Sequence, residues 1–143
     1  MKTNHLKKIL ICLLAAITLF ALCGCGDKNN QDIPDVDSIF VSISVDYPVK
    51  AKKADLKTLP FRAEEDSSVL QVVELFGNVN DISILVDTTY STLEGIDGII
   101  NHVTLKAGTW QYKINGELKD KPISDVVLKD GDHLELVYAK EPQ

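Results

Sequence analysis

Few side chains in this 143-residue chain have the chemistry of a nucleophile, a general base or a metal ligand. The thiols are Cys12, Cys23 and Cys25, and the imidazoles beyond the first few residues are His102 and His133. Zinc sites draw on closely spaced His and Cys pairs, and two histidines so far apart do not suggest one. Asp130-Gly131-Asp132 starts like a calcium-binding loop, but the fifth position of such a loop would be Leu134 where a carboxylate is needed. No Gly-rich phosphate loop, Gly-x-Ser-x-Gly elbow or His-Glu-x-x-His helix is present. The expectation is a protein that binds and does not catalyse, without a resident cofactor.

The cysteines have a different use. Lys2, Lys7 and Lys8 precede an apolar run from Ile9 to Leu22, and Leu22-Cys23-Gly24-Cys25 follows it directly. The run is shorter than the roughly 20 apolar residues of a membrane span, and it has the basic start and small residue of a secretory signal. Leu22-Cys23-Gly24-Cys25 resembles a bacterial lipoprotein lipobox, with Cys23 a mild departure at the second position. That resemblance implies that residues 1–24 are removed and that Cys25 becomes the lipidated first residue. Cys12 and Cys23 would go with the signal, leaving no disulfide and no thiolate ligand in the mature chain. Acyl chains contribute about 0.8 kcal/mol per buried methylene, enough for a firm anchor when two or more are attached. The expected location is therefore extracytoplasmic, on the cell membrane.

Residues 25–37 are almost wholly polar, with little to bury, and read as a tether. The rest, residues 38–143, suits one domain with a modest core. The formal charge of −6 includes Lys2, Lys7 and Lys8; without them residues 25–143 carry −9. Nucleic acid is an unsuitable partner for such a surface, since phosphate contacts depend on Lys and Arg.

The elements that must position any site can be read from periodicity. Ile39, Val41, Ile43 and Val45 alternate with more polar neighbours, which predicts a half-buried strand. Leu56 to Ala63 predicts a second strand, at an edge because of Pro60. Ser68 with Gln71 forms a capping box that opens a helix, its stripe is Val69, Val72, Val73 and Phe76, and Gly77 is expected to stop it. Glu64, Glu65 and Asp66 are expected to complement the helix dipole. Strand signals resume at Ile82 to Thr88, Tyr90 to Ile96, Thr109 to Ile114, Val126 to Leu128 and His133 to Ala139. Asn115-Gly116 is a strong signal for a type I′ hairpin turn, and Lys129 to Asp132 for a further tight turn. Two strands, one helix and then several strands predict an α+β, β-grasp-like fold with one mixed sheet.

Residues 38–139 resemble the C-terminal β-domain of transcobalamin and intrinsic factor, a module shared by bacterial surface proteins. The residues that carry the resemblance are Ser67-Ser68-Val69-Leu70, the segment from Tyr90 through Thr92 and Ile96 to Gly98, Trp110 to Gly116, and Leu128 to Asp132 running into Leu134-Glu135-Leu136. Gly95 and the Lys-rich stretch before Pro60 depart from the pattern. In the vitamin carriers the module caps one side of bound cobalamin, and a helical domain holds the other side. Within these 143 residues there is no such helical domain. The resemblance implies a module that captures a small molecule, with cobalamin or another corrinoid as ligand, at Trp110, Tyr112, Tyr90 and Thr92, near the Asn101 to Thr109 loop. Trp110 and Tyr112 also share one strand face with Ile114, the pattern of core residues. The alternative function is a scaffold that docks an envelope protein or a polysaccharide through an exposed sheet edge. A concave wall of Trp110, Tyr112 and Tyr90 favours the first, and a buried Trp110 beside a flat free edge the second.

Overall fold

The structure is a computed structural model and describes residues 37–104 and 108–140. The expected signal, Cys25 and all of the tether except its last residue lie outside the described residues, as do residues 105–107.

Alternation at the two ends of the domain builds its centre. Strand β1 (Ser38–Asp46) turns Ile39, Val41, Ile43 and Val45 inward, and the last strand, β8 (His133–Lys140), turns in Leu134, Leu136 and Tyr138. The two run parallel at the middle of a five-stranded sheet. β2 (Leu56–Glu64) pairs antiparallel with β1 at one edge. On the other side β6 (Gly108–Ile114) pairs antiparallel with β8, and the short β7 (Glu117–Lys119) closes the far edge. The turn between β6 and β7 is Asn115-Gly116 with φ of 54° and 81°, as its type I′ signal predicts.

Pro60 fits its strand for a reason of register. Ser42 N–H donates to Asp132 O and Phe40 O accepts from Gly131 N–H, so the even-numbered residues of β1 aim their backbone toward the β8 side. Pro60 lies opposite Ser42. Its nitrogen therefore points off the sheet edge, where the ladder needs no N–H.

The helix α1 (Val69–Asn80) follows β2 and opens with the expected capping box, Ser68 Oγ accepting from Gln71 N–H and Gln71 Oε1 accepting from Ser68 N–H. Val69, Val72, Val73 and Phe76 are buried against the sheet, and Phe76 meets Phe61 of β2 edge-to-face at 5.6 Å. Val69 N–H and Leu70 N–H, which have no partner within the helix, donate to Val126 O and Ile123 O.

Four expectations are corrected. Gly77 does not end the helix: α1 runs to Asn80, and Asp81 takes the left-handed cap with φ 56°. The acidic triplet does not enter the first turn; Glu64 ends β2 and Glu65-Asp66 form the connecting turn. Val126 to Leu128 makes only an isolated bridge, Ser68 to Val127, with Val126 O accepting from Val69 N–H at the helix start and Leu128 N–H donating to Ser67 O. Finally, the middle strands do not join the main sheet. β3 (Ile84–Asp87), β4 (Thr92–Ile96) and β5 (Ile99–Ile100) form a separate antiparallel sheet, folded back by the Asp97-Gly98 turn. Leu93, Ile96 and Ile99 from this small sheet belong to the same core as the large one. The class is nonetheless α+β, with the β-grasp order of strands in the larger sheet.

Gly77 matters for a close approach. A Cβ there would stand 2.5 Å from Ile84 Cγ1 and 2.8 Å from the Ile82 carbonyl oxygen. Gly77→Ala gains about 1 kcal/mol of helix propensity but forces the chain after the helix to shift. The expected net result is a loss of about 1–3 kcal/mol, read as a lower urea midpoint.

Candidate functional site

Trp110 reaches inward from β6 and is only 5% exposed. Its indole N–H donates to Ile99 O at 2.8 Å, a carbonyl of the small sheet. Tyr138 and Tyr47 pack edge-to-face on it, with centroids at 5.3 and 5.9 Å. Asn101 is clamped between the sheets: its Oδ1 accepts from Trp110 N–H and its Nδ2 donates to Leu93 O, both at 2.7 Å. From the sequence Asn101 is marked only as the start of a loop, because a lone Asn before a turn has no pattern that reveals a long-range clamp.

A groove of about 250 Å³ opens where the start of β4 faces β6 and β7. Leu93, Trp110, Tyr112 and Ile123 form an apolar floor, Leu118 is a half-exposed wall, and Lys119, Asp120 and Lys121 stand on the rim. Of the residues singled out from sequence, Trp110, Tyr112 and Thr92 meet here. Tyr90 is not part of the lining; it sits in the turn after β3, 70% exposed, with its N–H bonded to Asp87 Oδ1. Leu118 and Ile123 were missed. Leu118 had a signal, since it lies two residues past the Asn115-Gly116 turn on the strand paired with β6.

The hydroxyl of Tyr112 donates to Lys121 O at 2.7 Å, which holds the segment after β7 against the groove. Burial pushes the Tyr112 phenol above its ordinary pKa, and Asp120 and Asp125 add to the shift. The groove thus offers a preformed apolar floor and a rim of mixed charge, suited to holding an uncharged part of a small molecule.

The other reactive types are placed elsewhere. His133 lies on the opposite face of the large sheet, its Nδ1 2.7 Å from Ser42 Oγ and its Nε2 3.4 Å from Ser44 Oγ. Among the described residues its ring nitrogens meet two hydroxyls and no carboxylate of the kind that orients the base of a serine nucleophile. Asp130 Oδ1 accepts from Phe40 N–H, and Asp132 accepts from Lys129 N–H and Asn115 Nδ2. Both carboxylates shape the turn before β8. Among the described residues no group of three or more His, Cys, Asp and Glu side chains is placed to hold a metal ion.

Tyr47 belongs to the same aromatic cluster and borders a second cavity. Burial, with Asp97 and Asp55 adding, pushes its phenol up to about 12.

Fold and groove together define a small α+β domain with an apolar groove on its surface. No family model and no curated protein sequence matches the chain. Solved structures do. Haptocorrin, determined in complex with Cbi, superposes with a TM-score of 0.61 at 18% identity over 75% of this chain. The chain spans only 26% of that protein's length. A protein from Ruminococcus gnavus, named only provisionally as metal binding, superposes with a TM-score of 0.50 at 16% identity over 73% of this chain and 99% of its own. At these identities the likeness is one of fold, and it agrees with the transcobalamin-like module expected from the sequence.

Two outcomes follow from the cluster. Trp110→Ala removes a buried ring and its hydrogen bond, and is expected to cost about 3–5 kcal/mol of stability, measured by urea unfolding followed with circular dichroism. For Tyr47 the folded pKa lies above the unfolded value of 10.0. Its contribution is full below about pH 10 and is lost as pH rises toward about 12, because only the unfolded chain ionises there. Stability should fall more steeply over that window in the parent than in Tyr47→Phe; equal slopes would remove Tyr47 from the alkaline transition.

Proposed function

We propose that this protein is a lipid-anchored, extracytoplasmic binding module in which Cys25 carries the lipid and the groove between β4 and β6–β7 holds part of a small molecule. A corrinoid is the first ligand to test, in the service of an uptake system. The observation that carries this reading is the groove itself: an apolar floor built on strands, with a polar rim, in a domain whose fold is like that of haptocorrin. Fold likeness alone transfers no ligand. At about 250 Å³ the groove is smaller than the roughly 300–1,000 Å³ of pockets that enclose a drug-sized molecule. It suits one edge of a larger ligand, with the remaining faces left to solvent or to a partner.

The sheet edges weigh against the alternative, a scaffold that docks partners by strand addition. β2 is the longest edge strand, and it carries Pro60, a register shift opposite Ile43 to Val45, and Lys57. β7 has three residues and β3 four. Prolines, irregularities, lysines and short length are the devices that keep an edge from recruiting another strand.

The ligand is tested by calorimetry of cobinamide and cobalamin against soluble residues 26–143, which contain every buried residue among those described. Binding that is lost in Leu118→Glu and Thr92→Arg, both on the groove wall, is the expected result. Binding unchanged in both variants would move the site elsewhere, and no heat from a folded domain would leave the likeness as one of fold. The anchor has its own test. Cys25→Ala should shift the full-length protein out of the membrane fraction, and a variant that stays there would refute lipidation at that residue.

A further inference from the structure

The second cavity is larger than the first, at about 380 Å³, and it is lined by Tyr47, Lys53, Leu56, Leu59, Asn80, Ile82 and their neighbours Ala54 and Asp97. Three connections that are distant in sequence meet there: the loop between β1 and β2, the end of α1, and the turn between β4 and β5. Each is fixed by a bond to backbone. Tyr47 N–H donates to Asp55 Oδ1, which closes the first loop. Asn80 Nδ2 donates to Phe76 O, and Ile82 N–H to Gly77 O. Asp97 N–H donates to Ser83 O at 2.7 Å.

The polar groups stand together beside an apolar wall. Lys53 Nζ is ion-paired with Asp97 Oδ2, donates to Asp97 O at 2.9 Å, and lies 5.9 Å from the centre of the Tyr47 ring. Tyr47 OH also donates to Asp97 Oδ2, at 3.4 Å. Lys53 and Asp97 are both more than one-third exposed, so their pairing adds little to stability. An ammonium has three donors, and two of those on Lys53 are spent on Asp97. Among the described residues no partner is found for Asp97 Oδ1 or for Asn80 Oδ1, and both belong to side chains on the cavity wall.

We propose that this cavity is a second binding site, selective for a molecule with an aliphatic body and an uncharged carboxamide head. The head's carbonyl takes the remaining Lys53 N–H, its NH2 donates to Asp97 Oδ1 or Asn80 Oδ1, and the aliphatic part lies on Leu56, Leu59 and Ile82. Charge balance selects the neutral head. A carboxylate would meet Asp97, with Asp55 close by, and an ammonium would meet Lys53. A carboxamide supplies one acceptor and two donors to a site that presents both kinds of group.

The test is an NMR titration of 15N-labelled residues 26–143 with hexanamide, hexanoate and hexylammonium at equal concentrations. The expected result is a saturable millimolar response to hexanamide at the amides of Ile82 and Asp97, with the indole N–H of Trp110 following through its contact with Tyr47. The amides of Leu118 and Lys119, at the first groove, report separately on whether the probe has gone there instead. Leu59→Arg should abolish the response, and Asp97→Asn should weaken it by about tenfold, the difference between a hydrogen bond to a charged acceptor and one to a neutral acceptor. Val103→Ser, exposed and outside both cavities, serves as control for handling and fold. Equal responses to the three probes, a preference for hexylammonium, or a response that survives Leu59→Arg would each overturn the assignment.

Discussion

The seam between the two sheets is the interaction on which the rest of the domain depends. Backbone pairing keeps each sheet together, and among the described residues no strand of the small sheet pairs with one of the large sheet, although His102 N–H, just past β5, donates to Gly108 O of β6. The rest of the join is made by side chains: the indole of Trp110 on Ile99 O, and the carboxamide of Asn101 bridging Trp110 N–H and Leu93 O. These are buried bonds, and a lost partner leaves a desolvated polar group behind, at a cost of about 1–3 kcal/mol each. The seam also fixes where concavity can exist. Trp110 lines one cavity and its neighbour Tyr47 the other.

What was legible in the sequence was what is decided locally. The alternation of β1, the Ser68–Gln71 capping box and the Asn115-Gly116 turn each need only a few adjacent residues, and all are in place. Pro60 marked an edge because a missing N–H is tolerated in few positions of a sheet. Illegible features were those set by distant partners. Ile82 to Thr88 and Tyr90 to Ile96 read as ordinary strands, and nothing in their pattern says that they pair with each other instead of joining β6. Gly77 looks like a helix stop because helices often end at glycine. Its small size is needed instead for the return of Ile82 and Ile84 across the helix.

The candidate site shows the same division. Trp110 and Tyr112 stood out by type, and period two already put them on a single face. Whether that face lines a groove or fills a core depends on how far β4 stands from β6, a distance no local pattern encodes. The outcome combines both: Trp110 is held by four partners in the core and still contributes to the groove floor. Tyr90, by contrast, was singled out within a strand segment, while the Asp87 side chain winds that stretch into a turn and carries the ring outward.

The central parallel pair couples the beginning of the domain to its end. β1 lies between β2 and β8, and five of its residues find their partners only at positions 133–137. Every route to the native sheet therefore waits for the last ten residues or so of the described chain, since closing so long a loop is paid back only when β8 docks. A process that handles the chain from its N-terminal side meets a β1 without its central partner until β8 has followed. The same arrangement makes β8 hard to dispense with: a chain cut before His133 loses the middle of its sheet, not a margin.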